Sequence, residues 1–166
     1  MNKTSFSVTL LFLSLSFHAV CRSGFRFNEA AFPAEIVMDE NADALVEWAV
    51  RDLAEDIEKM TGKHIPIRYM ASRESGIRKI YVGTIDDGLI KNLPAACTES
   101  LTDRWECFHI QKHGNDLCII GSDIRGTVYG IFEVAERIGI SPWKWWADVT
   151  PMKREDVVLD LPPAGI

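Results

Sequence analysis

The sequence has little of what usually announces chemistry. Only four of its 166 residues are cysteine, and none stands in a C-x-x-C or a Cys/His ligand spacing, so the common zinc sites are excluded. Basic residues are outnumbered 18 to 24 by acidic ones, and no basic stripe runs along the chain. Nucleic acid is therefore a poor partner, and so is an anionic membrane surface. No glycine-rich stretch has the dinucleotide-binding spacing or a Lys-Ser/Thr pair, which excludes a P-loop. There is no internal repeat and no low-complexity tract. At 166 residues the chain is also too short for a (β/α)8 barrel, which takes roughly 250. What remains is the composition of an ordinary globular domain, long enough to bury a core.

Long apolar runs are nearly absent too. One exists, Val8 to Val20, behind the short basic start Met1, Asn2 and Lys3. It is too short to span a bilayer as a stable anchor, and it reads as a signal peptide over residues 1–23. Cleavage after Cys21 or after Ser23 satisfies the small-residue rule. Cys21 stands as an alternative, a lipid-modified cysteine, although His18 and Val20 depart from the pattern such a site wants. The expected location is periplasmic or extracellular, with no membrane span. Removing residues 1–23 takes away Lys3 and Arg22 and leaves 16 basic against 24 acidic residues, a net charge of −8. Cys97, Cys107 and Cys118 remain, so at most one internal disulfide forms and one thiol is left over.

The elements follow from periodicity. "EIVMD" is a short strand, and from Asn41 the apolar positions Leu45, Val46, Ala49, Leu53, Ile57 and Met60 recur at helical spacing until Gly62 stops the helix. His64 to Met70 and Arg78 to Thr84 read as strands, the second apolar at its centre and so interior. A short polar helix, "IDDGLIKNL", follows. "WECFHIQKHGNDLCIIGS" is a hairpin; with Gly114 and Asn115 at the turn, Ile110 faces Ile119 and Phe108 faces Gly121. A second long helix carries Val128, Ile131, Phe132, Ala135 and Ile138 as one stripe and stops at Gly139. "EDVVLDL" is a last strand, and "PPAGI" over 162–166 reads as the start of a linker. The class is α+β, a mixed α/β sandwich with a four- to six-stranded sheet and two main helices packed on one face, occupying residues 24–161.

Two stretches are candidates for function. In "GSDIRGTVYG", Ser122 or Asp123 caps a helix while Gly126 and Gly130 let it approach the sheet; alternatively Asp123 and Arg125 point into a cleft shared with a neighbouring domain or ligand. In "SPWKWWADVTP", Trp143, Trp145 and Trp146 crowd into four residues, with Asp148 just beyond. If the segment is extended, Trp143 and Trp145 share one side and Trp146 opposes them. Some ring then meets solvent, a sugar or another domain, since indoles serve in cores, at sugar faces and at interfaces alike. The acidic groups Asp86 with Asp87, Glu133 with Glu136, and Asp52 with Glu55 and Asp56 read as solvated helix faces, and no spacing argues for the carboxylate pair of a glycosidase. His109 and His113 flank the hairpin turn as sheet or surface residues. No nucleophilic triad stands out, and no metal or cofactor is implied.

"GSDIRGTVYGIFEVAERIGISPWKWWADV", Gly121 to Val149, closely resembles the end of the N-terminal domain of glycoside hydrolase family 115, the xylan α-1,2-glucuronidases. The "YVGT" strand and the helix after Asn41 fit the same domain, and the glycine turn alone is also similar to N-terminal domains of families 67 and 20. The resemblance implies an exported bacterial enzyme that removes glucuronic acid, or its 4-O-methyl form, from glucuronoxylan with inversion. It places the catalytic carboxylates on a barrel that follows this domain. The chain at hand is expected to be inactive alone, with Asp123, Arg125, Trp143, Trp145, Trp146 and Asp148 as residues at the barrel interface or the rim of a uronate pocket. The alternative is an independent carbohydrate-binding module that stacks glucuronoxylan on the tryptophans.

Overall fold

The structure, a computed structural model, describes residues 24–27, 29, 33–69 and 76–166. The expected signal peptide with Cys21 lies outside the described residues, and so does Met70. Two strands come first, β1 (Phe25–Arg26) and β2 (Ala34–Met38). Helix α1 (Ala44–Thr61) follows because both its ends are closed: the Asp43 carboxylate accepts from the Leu45 amide at 2.8 Å, and Gly62 adopts φ 70° beyond the last turn. Val46, Ala49, Leu53, Ile57 and Met60 of the expected stripe are buried, whereas Leu45 faces outward. Asp56 is buried among them at 1% exposure, against the expectation of a solvated acidic face.

Strand β3 (Ile67–Arg68) is shorter than expected and is followed by β4 (Arg78–Thr84). The chain then makes α2 (Gly88–Lys91), two 3-10 turns at Ala95–Cys97 and Glu99–Leu101, and the hairpin of β5 (Phe108–His113) and β6 (Asp116–Gly121). Ile110 lies opposite Ile119 and Phe108 opposite Gly121, the register that a two-residue turn at Gly114 and Asn115 requires. Helix α3 (Ile124–Arg137), the short α4 (Lys144–Ala147) and β7 (Val158–Leu159) complete the order.

The main sheet has five strands in the order β3-β2-β4-β6-β5, parallel except for β5. Alternation divides its side chains between two cores. Ile36, Met38, Ile80, Val82 and Ile119 lie under α1 and α3, so the two main helices share one face as expected. Cys118 and Ile120 point the other way, against Ile90, Cys97 and Leu101 of α2 and the 3-10 turns. Strand β7 does not join this sheet; it pairs antiparallel with β1 as a separate ribbon. The connecting segment first passes beneath the helix ends, where the Arg154 amide donates to the Met60 carbonyl at 2.8 Å and its guanidinium donates to the Ile138 carbonyl at 3.2 Å. Residues 162–166 lie along the sheet edge, where Ile166 and Ile110 exchange two backbone hydrogen bonds. No described helix is long and apolar enough to cross a membrane.

The seating of α3 is tight. A Cβ on Gly126 would lie 2.1 Å from the Cys107 carbonyl oxygen, and one on Gly121 would lie 2.0 Å from the Thr127 amide nitrogen. Backbone occupies the space a side chain would need. Gly126→Ala is therefore expected to cost about 1–3 kcal/mol as α3 is pushed off the loop, measured by urea unfolding; an unchanged midpoint would contradict this seating.

Candidate functional site

The chain leaves β2 toward β3 on one side and reaches β4 on the other, so a crevice opens at the carboxyl ends of β2, β4 and β6, the position where open α/β sheets take ligands. A cleft of about 430 Å³ occupies it, with Asp43, Asp86, Asp87 and Asp123 among its walls. Three of these carboxylates are already engaged by the fold. Asp43 caps α1, and Asp87 accepts from the amide and hydroxyl of Thr84, each at 2.8 Å. Asp123 caps α3 by accepting from the Gly126 amide at 2.8 Å and holds the neighbouring loop by accepting from the Glu106 amide at 2.6 Å. Among the described residues no group of three or more His, Cys, Asp or Glu is placed to hold a metal ion.

Arg125 projects from the first turn of α3 into an ion pair with Glu106 at 2.5 Å, and it donates to the Tyr129 hydroxyl at 3.0 Å. One carboxylate thus already occupies it within the chain. Glu106 holds φ 52°, an uncommon conformation for a residue with a side chain, and the Asp123 hydrogen bond to its amide helps to keep it there.

The tryptophan stretch is helical and not extended. Its turn starts with the Ser141 hydroxyl accepting from the Trp143 amide at 3.2 Å, runs through α4 and ends at Asp148, which adopts φ 51°. Lys144 explains why the turn sits where it does. Its ammonium lies between Asp52, at 2.6 Å, and Asp56, two carboxylates one turn apart on α1, and it also stands 4.5 Å from the centre of the Trp145 ring. Burial works against the charge, but the hydrogen bonds to Asp52 and Asp56 outweigh it and hold the ammonium above its ordinary pKa.

Trp145 packs on Trp48 with ring centres 5.2 Å apart, and Trp48 meets Phe132 of α3 edge-on. Trp143 and Trp146 remain 63% and 84% exposed. Beside them lies a groove of about 350 Å³ walled by Phe108, Tyr129, Phe132 and Trp145, with Glu133 and Glu136 among its lining. The candidate residues therefore fall in two places. Asp123 lines the cleft at the sheet end, while Trp145 lines the groove, whose edge Arg125 reaches through Tyr129. Sequence reasoning missed Trp48, Phe132 and the acidic pair that binds Lys144. A signal was present: Lys144 is the lone cation among the three indoles, and Asp52 and Asp56 stand four apart on one helix.

Replacing Lys144 by Met is expected to cost about 3 kcal/mol, the low end for breaking a buried pair because Lys59 still lies 3.3 Å from Asp56. Adding Asp56→Asn should return part of that loss in urea unfolding, and two additive penalties would show that the groups do not interact. Asp123 gives a pH prediction. Burial raises its pKa, but the amides of Gly126 and Glu106 outweigh burial and hold it below 3.8. Its stabilising effect is present above the unfolded value and disappears as pH falls through the folded one, so Asp123→Asn should flatten the loss of stability below about pH 4. An acid limb equally steep in the variant would refute this.

The family described as Glycosyl hydrolase family 67 N-terminus matches residues 14–134, which takes in all of the five-stranded sheet and most of α3. A solved family GH115 4-O-methyl-α-glucuronidase, with specificity for decorated arabinogalactans, is similar at 25% identity over 80% of this chain, with a TM-score of 0.61. The chain spans 17% of that structure's length. A GH138 enzyme targeting pectin rhamnogalacturonan II is similar over 75% of this chain and 11% of its own, at 18% identity and a TM-score of 0.44. No curated protein matches. By the span of the family match, joined to a mixed sheet with two helices on one face, this chain belongs to the N-terminal domain family of the family 67 glycosyl hydrolases.

Proposed function

We propose that this chain is the non-catalytic accessory domain of an exported, family 115-like α-glucuronidase, and that its aromatic turn lies against the catalytic barrel at the rim of the uronate pocket. One observation carries the reading. Trp143 and Trp146 are exposed on a turn that Lys144 and Trp145 fasten to α1, so the molecule holds apolar surface rigidly in water. Such surface is a liability unless another body covers it. The groove beside it adds Tyr129 and Phe132 to the same face. The cleft carboxylates that cap helices and turns are held by the fold and are not free for acid–base work on a sugar. The substrate of the whole enzyme on this reading is a plant polysaccharide bearing glucuronic acid or its 4-O-methyl form, glucuronoxylan first.

The exposed indoles leave a second reading in which the same face stacks directly on sugar, as a carbohydrate-binding module. One set of samples separates the two. The purified chain is expected to release no uronic acid from glucuronoxylan, to bind a hydrophobic dye and to self-associate with concentration. Trp146→Ala should lessen both with little change in stability, whereas Trp145→Ala should cost about 1–3 kcal/mol through its contact with Trp48. A dye-silent monomer would sink the covered-face reading, and tryptophan fluorescence that titrates with glucuronoxylan oligosaccharides would transfer the face to the sugar. Released uronic acid would overturn both.

A further inference from the structure

On the sheet face away from α1 and α3, two thiols meet. Cys97 in the first 3-10 turn and Cys118 in β6 are both buried, and their sulfurs lie 3.4 Å apart inside the apolar cluster of Ile90, Leu101 and Ile120. They come from segments 21 residues apart, brought together where the turns cross the sheet. Cys107 packs against the rim of the same cluster, but its sulfur lies 3.4 Å from the Trp105 carbonyl, and its backbone is tied to Ser122. We propose that Cys97 and Cys118 are a disulfide site that, once oxidised, staples the layer of 3-10 turns to β6, leaving Cys107 as the free thiol among the described residues.

The geometry favours this pair on two counts. The contact already brings the sulfurs together, so closing the bond asks only for a short movement of side chains. The bond would also tie the turns to a strand whose end carries Gly121, against which α3 is seated. Burial decides the route. Neither sulfur is open to a reagent in the closed fold, and burial pushes the Cys118 thiol well above its ordinary pKa, so exchange proceeds when the turns lift or before they dock. The oxidant is an external disulfide, such as oxidised glutathione. The Cys97 thiolate attacks one of its sulfurs and expels a thiolate. The Cys118 thiolate then attacks Cys97 in that mixed disulfide and expels the second thiolate. One external disulfide becomes two thiols, which take up the two protons lost by the cysteines. The chemistry requires no export; an exported fate would supply the oxidising surroundings.

The test uses the full chain, refolded in a buffer of reduced and oxidised glutathione and then alkylated in denaturant. Trypsin places Cys97, Cys107 and Cys118 on separate peptides, 92–104, 105–112 and 113–125, apart from Cys21 on 4–22. The expected product lacks two hydrogens relative to the reduced chain, joins peptide 92–104 to 113–125 and keeps one alkylated cysteine on 105–112. Its melting temperature should exceed that of the reduced chain by roughly 6–12 °C, and dithiothreitol should erase the difference. Cys107→Ser should preserve the shift, and Cys97→Ala should abolish it. Alkylation of Cys97, Cys107 and Cys118 together under these conditions, or a crosslink to 105–112, would overturn the proposal, as would a crosslinked chain that melts no higher than the reduced one.

Discussion

Lys144 carries its charge into a half-buried place between helix α1 and the aromatic turn, and much of this molecule's outward face depends on that ammonium. Asp56 is nearly without solvent and sits within the apolar stripe of α1, where a carboxylate is costly to bury alone. Lys144, with Lys59 beyond it, meets that cost, and in doing so it draws the turn across the helix. Trp145 then lies on Trp48, and Trp48 on Phe132, so one cation ties the turn to α1 and through it to α3. The exposed rings of Trp143 and Trp146 are presented on a fixed support. Surfaces ordered in advance lose less entropy on covering than mobile ones do.

The opposite end of the helix layer follows a different logic. The crevice at the carboxyl ends of the strands has the position of a ligand site, yet three of its four aspartates are spent on helix caps and turns. The fold therefore supplies shape and an interface more readily than chemistry. Membership in a family of N-terminal domains agrees with that division of labour.

Much of the framework was legible because its causes are local. The hairpin register follows from two turn residues and alternation, and both long helices follow from a side-chain cap at the start and a period of three to four. The reading failed where a residue's neighbour is distant in the chain. Asp56 looked like one more solvated acid, since nothing within a few residues shows that a lysine 88 positions later will cover it. The tryptophan directions read from the sequence are those of an extended segment; Ser141 and Lys144 turn the backbone into a helix instead. Arg125 pairs with Glu106 of a neighbouring loop, a contact that no local pattern announces.

The sequence by itself determined the two long helices and the hairpin, which face of each is apolar, and that three indoles stand together after the second long helix. Those properties are set by backbone hydrogen bonds and periodicities that act over a few residues. Only the tertiary structure decided that β7 pairs with β1 and not with the main sheet, that Lys144 meets Asp52 and Asp56, and that Cys118 has Cys97 as its neighbour. Each of these is a meeting of distant segments, and it is settled by how the whole chain buries its apolar faces and pairs the charges it takes inside.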